Sequence, residues 1–263
     1  MNLPGTGFPG SQFVSREDLG VTKSKEAMKK LLKALLRKAG IWYAKRQYMP
    51  YGIDWAWDIS RLNSYDREIN VIDAGANIGQ TVLILKEAFP NGSIDAFEPA
   101  KGTFEQLRNN VGHMHGVRCH CVALSDKLGR GQMVVGENFQ LSHLSPDTNE
   151  SVDGPIEFVD VTTIDQFCEE NQLRHIDILK IDTEGGDLNV LKGAKRVFVE
   201  RRVDFVLVEV GFAIDDHTHS YYPEIFEFLK NAGMYQCCFY DYYFEGRPSK
   251  LVFCNALFSS QMV

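Results

Sequence analysis

The residues of this chain best suited to chemistry cluster where apolar runs end in acids. INVIDAGANIGQT (Ile69 to Thr81) passes from an apolar stretch into Asp73, then through Gly75, Ala76, Asn77 and Gly79 into a helical pattern. Such a turn suits a bound nucleotide: Gly75 lets the backbone approach a ligand, and Gly79 lets helix and strand pack. Asn77 stands where many such turns carry glycine, and asparagine tolerates a positive φ better than most residues. A dinucleotide fingerprint would place glycines at 75, 77 and 80, whereas this chain has Asn77 and Gln80 and no pyrophosphate-binding basic residue nearby. An acid two residues before the first glycine instead suits a ligand with an amino group and a sulfonium, which points to S-adenosylmethionine. Taken alone, the motif is equally a structural tight turn.

Two further runs fall in register with it. In SIDAFEP, Glu98 ends the next apolar run about 20 residues on, where an acid accepts hydrogen bonds from ribose hydroxyls, and Pro99 stiffens the exit. In CVALSD, Ser125 and Asp126 follow a third apolar run and suit an adenine amino group, although an Asx turn explains them almost as well.

A fourth run, DILKIDTEGGDLNVLKGA, places Asp182 at the end of an apolar stretch, with Glu184 and Asp187 close behind. Helix capping explains Asp187 well, since carboxylates are favoured at helix N-termini. It explains Asp182 poorly, because that residue ends a strand. Glu209, at the end of VDFVLVEV, takes the neighbouring position. Acids gathered at one sheet edge can orient a hydroxyl, take its proton or hold a cation. The divalent cation is the lesser reading, and no metal site is assigned, because magnesium needs several oxygen ligands. AIDDHTHSYY adds Asp215, Asp216, His217 and His219; His219 is a candidate base, and a polar surface loop is the plain alternative.

The elements that must hold these residues alternate. From Ile69 onward, strand-like and helix-like runs succeed one another, which predicts βαβ units and a largely parallel sheet. Strands are expected at 69–73, 93–98, 117–124, 156–161, 176–182 and 203–210. Helices are expected at 79–89, 101–111, 163–171, 187–200 and 223–232. Residues 132–160 read as a hairpin with a loop, and 234–241 with 251–258 as a closing antiparallel hairpin around the turn EGRPSK. Residues 1–22 read as a flexible arm, 23–68 as an N-terminal helical segment, and 69–263 as the binding domain.

Composition narrows the classes. A net charge of −7 disfavours a nucleic-acid partner. The six cysteines form no CxxC pair, which argues against structural zinc and for reduced thiols in a cytoplasmic protein. Cys119 and Cys121 are expected on one sheet face as small hydrophobes. The N-terminus has neither the basic start nor the apolar stretch of a signal peptide, and no run is long enough to span a bilayer. Between Lys23 and Ala39, Met28, Leu31, Leu32, Leu35 and Leu36 recur at helical spacing among lysines. Packing on the domain is the plainer reading of that helix; peripheral contact with the inner face of a membrane is the second. Nothing in the sequence fixes an oligomeric state.

In combination, DAGANIG, FEP, ALSD, TTIDQFCEEN and DILKIDTEGGDLNVLKGA resemble the FkbM family of S-adenosylmethionine-dependent methyltransferases. The likeness runs from about Ile53 to Phe258 and takes in VEVGF, YYPEIFEFLKNAGM and FCNALF; Gly186 departs from the larger side chains often found after EG. The resemblance implies a class I methyltransferase fold, a Rossmann-like three-layer sandwich with a seven-stranded, mostly parallel sheet and an antiparallel edge hairpin strand. It also implies O-methylation of a sugar, glycan or other small-molecule hydroxyl. Asp73, Gly75, Asn77 and Gly79 would then form the cofactor turn, Glu98 the ribose clamp, and Ser125 and Asp126 the adenine contacts. Asp182, Glu184 and Glu209 would face the methyl group and the acceptor. An NAD-type oxidoreductase and a non-catalytic adenosyl-binding module are the competing readings.

Overall fold

Residues Ile176–Ile181 (IDILKI) are buried at every position. Burial on both faces marks a central strand of a parallel sheet covered by helices on each side. In the computed structural model, which describes residues 28, 30–36, 38–39, 48–62, 67–134, 143–145, 156–216, 218–246 and 249–261, that is its role. The elements in chain order are α1 (Trp55–Leu62), β1 (Asn70–Ala74), α2 (Gln80–Ala88), β2 (Ser93–Phe97), α3 (Lys101–Val111), β3 (Val117–His120), β4 (Ala123–Leu124) and β5 (Gly129–Val134). They continue as β6 (His143–Ser145), β7 (Ile156–Thr162), α4 (Ile164–Glu170), β8 (Ile176–Ile181), α5 (Asp187–Lys192), α6 (Lys195–Val199) and β9 (Val203–Gly211). The chain closes with α7 (Tyr222–Asn231), β10 (Tyr235–Glu245) and β11 (Lys250–Ser259).

Seven strands form one sheet in the order β10-β11-β9-β8-β1-β2-β3. Strands β9, β8, β1, β2 and β3 pair in parallel, while β11 runs antiparallel to both β9 and β10. This is the class I methyltransferase architecture. One face carries a core of Ile164, Phe167, Leu191, Val197, Ile225 and their neighbours from α4 to α7. The opposite core joins Trp55 and Ile59 of α1 to Val82 and Leu85 of α2 and Leu107 and Val111 of α3.

Three boundaries differ from expectation. The third strand is broken: β3 ends at His120, and β4 belongs to a separate sheet ordered β4-β7-β5-β6. Cys121 therefore lies outside the strand, exposed, and does not share a sheet face with Cys119. The helix expected over 187–200 divides at Gly193, where Asp165 of α4 accepts from the amides of Arg196 and Val197 and so starts a new helix. Finally, the chain divides into units at Pro50/Tyr51 rather than at residue 69. Helix α1 folds with the domain because Trp55 and Ile59 are buried and Asp58 accepts from the Tyr240 hydroxyl at 2.8 Å.

Within the first unit, residues 30–36 are helical, and Met28, Leu31, Leu32 and Leu35 are exposed. Among the described residues no helix is long and apolar enough to cross a membrane. The arm at 1–22, His217, and Arg247 and Pro248 of the closing turn lie outside the described residues.

Candidate active site

Register pairing shows why the acids meet. Paired residues on neighbouring strands share a sheet face, and so do residues two apart on one strand. Asp73 pairs with Ala96 on one side and Lys180 on the other, and Lys180 pairs with Leu207. Two residues further along each strand lie Glu98, Gly75, Asp182 and Glu209, the last paired with Asn255. One row of chemistry-bearing residues thus crosses the carboxyl edge of the sheet, where open α/β sheets bind ligands.

The turn after β1 is left-handed at three positions, with φ of +77° at Gly75, +49° at Asn77 and +98° at Gly79. The sequence anticipated this conformation, but the close approaches are to protein. A Cβ on Gly75 would lie 1.8 Å from the Asp182 carbonyl oxygen, and one on Gly79 3.0 Å from Val111 of α3. Gly75 therefore closes the gap to β8, and Gly79 makes room for a neighbouring helix rather than a strand. Ala76 is buried, and its amide, like that of Gly75, donates to the Phe97 carbonyl.

Lys180, which the sequence reading passed over, is the cation of this edge. Its Nζ lies 3.4 Å from Asp73 Oδ1 and 3.2 Å from Asp182 Oδ2, and donates to the Gly75 carbonyl at 3.3 Å. Burial opposes its charge, but Asp182 and Asp73 together outweigh that and raise its pKa. A lysine inside the apolar run DILKID, in step with Asp182, was the signal available. Burial raises the pKa of Asp73 against the pull of Lys180. Both Asp73 carboxylate oxygens are buried, and apart from the long ion pair of Oδ1 with Lys180 neither accepts a hydrogen bond. Buried acceptors are normally satisfied, so this carboxylate calls for a donor from a ligand. Glu98, also buried, accepts from the Ala100 amide at 2.9 Å and is pushed up to about 7, chiefly by burial. Pro99, half-buried, separates Glu98 from the start of α3.

Ser125 and Asp126 follow β4 of the small sheet. Their side chains lie 3.4 Å apart, Asp126 reaches Lys127 at 4.0 Å, and the Ser125 carbonyl packs against Gly193. They are thus carried by a different sheet from Asp73 and Glu98, a consequence of the broken third strand.

The acids after β8 and on β9 converge. Glu209 is pushed up to about 9, first by burial and then by Asp182, Asp187 and Glu184. Glu184, at φ +51°, is pushed up to about 7 by burial, Asp182 and Asp187. Asp187, read from sequence as a cap, does not cap: the helix it opens has no side-chain cap bond, and its carboxylate reaches back to accept from Thr183 N at 2.8 Å and Thr183 Oγ1 at 2.9 Å. It also accepts from Ser220 Oγ at 2.7 Å, tying the β8–α5 connection to the segment after β9. That segment carries His219, whose Nδ1–H donates to Asp216 Oδ2 at 2.7 Å and whose Nε2 lies 3.6 Å from Glu209 Oε2. Thr218 Oγ1 donates to Asp216 Oδ1, and these bonds hold Asp216 down at about 2 against its burial. Asp216 stays ionised and orients the imidazole so that Nε2 faces Glu209. Asp215 is exposed.

A histidine and two acids also meet at the opposite, amino edge, as His175, Asp177 and Asp204. There Arg67 and the Asn70 amide already hold Asp177, so the grouping acts as a strand clamp.

Comparison with known proteins places the chain among methyltransferases by sequence. The chain is 28% identical over 167 residues to "Methyltransferase 1" of Beauveria bassiana, covering 54% of this chain and 63% of that protein. It is 27% identical over 146 residues to the 2-O-methyltransferase NoeI of Sinorhizobium fredii, covering 50% and 60%. It is 26% identical over 162 residues to the hexuronic acid methyltransferase AglP of Haloferax volcanii, covering 60% and 63%. The chain thus spans about three fifths of the length of these relatives. The model of the methyltransferase FkbM domain matches residues 73–235, from the buried acid near the end of β1 to the start of β10, and the chain belongs to that family.

Proposed function

We propose that this chain is an O-methyltransferase that moves the methyl group of S-adenosylmethionine to a hydroxyl of a sugar or glycan. The observation that carries this reading is the His219–Asp216 pair facing Glu209 on the row that begins at Glu98. One relative is named a hexuronic acid methyltransferase and another a 2-O-methyltransferase, which supports a sugar hydroxyl as acceptor.

Asp73, the turn from Gly75 to Gly79 and Glu98 fit the cofactor: a buried carboxylate with spare acceptor capacity beside Lys180 suits its amino group, and a second carboxylate suits the ribose. Bound there, the cofactor supplies a methyl group activated by a sulfonium. The protein's task is then mostly positional, because in-line displacement needs the acceptor oxygen about 3–3.5 Å from the methyl carbon. His219 Nε2 takes the hydroxyl proton, and ionised Asp216 stabilises the imidazolium that forms. Glu209, protonated at neutral pH, donates a hydrogen bond to the acceptor rather than removing its proton. Asp182 keeps Lys180 in place beside Asp73. No divalent cation enters this reading, and turnover should survive exhaustive chelation.

The test is methyl transfer from isotopically labelled S-adenosylmethionine to a panel of pyranosides, with O-methyl sugars read by mass spectrometry. His219→Asn should lower kcat by about 10²–10⁴-fold and leave cofactor affinity unchanged. Binding of NAD but not S-adenosylmethionine would establish the oxidoreductase instead. Tight cofactor binding with no transfer to any acceptor would leave only an adenosyl-binding module.

A second proposal concerns the first unit. The exposure of Met28, Leu31, Leu32 and Leu35 on a lysine-bearing helix favours peripheral contact with an anionic membrane. Co-sedimentation with phosphatidylglycerol vesicles, absent after removal of residues 1–40, is the expected result.

A further inference from the structure

Beyond the catalytic row, the sheet face continues outward onto the closing hairpin. Strand β11 pairs with β9 from Phe253 to Ser259 and the Val252 carbonyl accepts from the Phe212 amide at 3.1 Å, so Lys250 and Leu251 with their β10 partners project past the edge that holds Glu209. Phe253 pairs with Gly211 on one side and with Tyr243 on the other. A Cβ on Gly211 would lie 2.8 Å from His219 Cβ, so the imidazole occupies the room that a side chain there would take. His219 stacks on Phe253 at 4.4 Å, and Phe253 stacks on Tyr243 at 4.9 Å, with planes within 18° and 17° of parallel. Tyr243 is 46% exposed, so the column ends in an open aromatic face.

A polar row runs beside the aromatic one. Glu209 pairs with Asn255, whose Nδ2 donates to Asp241 Oδ2 at 3.1 Å. Asp241 has φ +52° at a break in register between Tyr240 and Tyr243. Bulges beside active sites re-aim side chains, and a non-glycine residue in the left-handed region is held there at a cost. Here the bulge turns Asp241 toward Asn255.

We propose that this strip is the acceptor subsite, and that its occupant is a pyranose ring. The inference rests on the reading of the chain as a sugar O-methyltransferase and adds the residues that hold the sugar. One face of a pyranose is lined with C–H groups and suits the electron-rich face of Tyr243. Its rim of hydroxyls suits the carboxylate of Asp241 and the amide of Asn255, which keeps an acceptor oxygen beside its donor. A flat apolar acceptor would satisfy the aromatic row and leave the polar row facing hydrocarbon, which is costly. The strip leads to His219 and Glu209, so a ring seated on it brings a hydroxyl toward the base.

The experiment is saturation-transfer difference NMR on the full chain saturated with S-adenosylhomocysteine, using the methyl α-pyranosides of glucose, galactose and mannose. At least one should receive saturation at its ring protons. Tyr243→Ala should weaken that binding by about tenfold, while Tyr243→Phe keeps it and calorimetry with S-adenosylhomocysteine is unchanged for both. Failure of all three pyranosides to receive saturation, or wild-type binding by Tyr243→Ala, overturns the subsite. Failure of the underlying activity reads out separately, as loss of S-adenosylhomocysteine binding by the wild-type chain.

Discussion

Gly75 and the carbonyl of Asp182 are packed so closely that no side chain fits between them: a Cβ on Gly75 would come within 1.8 Å of that oxygen. The contact joins the turn after β1 to the end of β8, where Asp182 and Glu184 follow. Gly75→Ala must therefore move one of them, and it also strains a residue at φ +77°. A left-handed conformation alone costs a non-glycine residue about 1–2 kcal/mol. The expected outcome is a Tm at least several degrees lower and loss of the stabilisation that S-adenosylhomocysteine should give the wild type. Thermal denaturation with and without that ligand measures both.

Lys180→Met leaves Asp73 and Asp182 facing each other across a buried edge without their shared cation. Removing one partner of a buried ion pair costs about 3–5 kcal/mol. The variant should melt far below the wild type, and Lys180→Met with Asp182→Asn should recover part of the loss. Equal melting temperatures for the single and double variants would show that the pairing with Asp182 is energetically idle.

The fold was legible because the parallel sheet leaves a strong trace: continuous apolar runs such as IDILKI alternate with helical patterns such as KGTFEQLRNNV. The row of acids was half legible. Asp73, Glu98, Asp182 and Glu209 each end an apolar run, and the end of a buried strand is a readable place. Lys180 was missed because periodicity counts it as an interruption of the strand, and its second partner, Asp73, lies on the adjacent strand. The break between β3 and β4 was missed because VRCHCVAL reads as one unbroken strand. The partnership of Asp187 with Ser220, 33 residues apart, leaves no local pattern at all.

That partnership makes its own prediction. Ser220→Ala removes one of three donors from a buried carboxylate and frees the segment that presents His219. Leaving a buried acceptor short of a donor costs about 1–3 kcal/mol. Because Ser220 touches neither the cofactor turn nor Glu98, kcat should fall about tenfold or more while S-adenosylmethionine affinity holds. Steady-state kinetics with a calorimetric cofactor titration separate the two, and Ser220→Thr, which keeps the hydroxyl, should rescue activity.

The raised carboxyl groups fix how stability changes with pH in the cofactor-free protein. Glu98 and Glu184 rise from an ordinary 4.5 to about 7, and Glu209 to about 9. A group whose folded value is raised stabilises the fold fully below its unfolded value and loses that contribution as pH climbs through the folded one. Stability should therefore fall from about pH 5 to pH 9, with Glu209 dominating above pH 7. Asp216, lowered from 3.8 to about 2, works the other way, stabilising above pH 4 and ceasing to do so as pH falls to 2. One pKa unit is worth about 1.4 kcal/mol, and each kcal/mol moves Tm by about 2–4 °C in a domain of this size. Glu209→Gln, neutral throughout, should flatten the decline between pH 7 and 9 by at least about 3 °C and leave the acid limb unchanged. An identical alkaline decline in Glu209→Gln would mean that Glu209 ionises at its ordinary value, and would return it to the list of candidate bases beside His219.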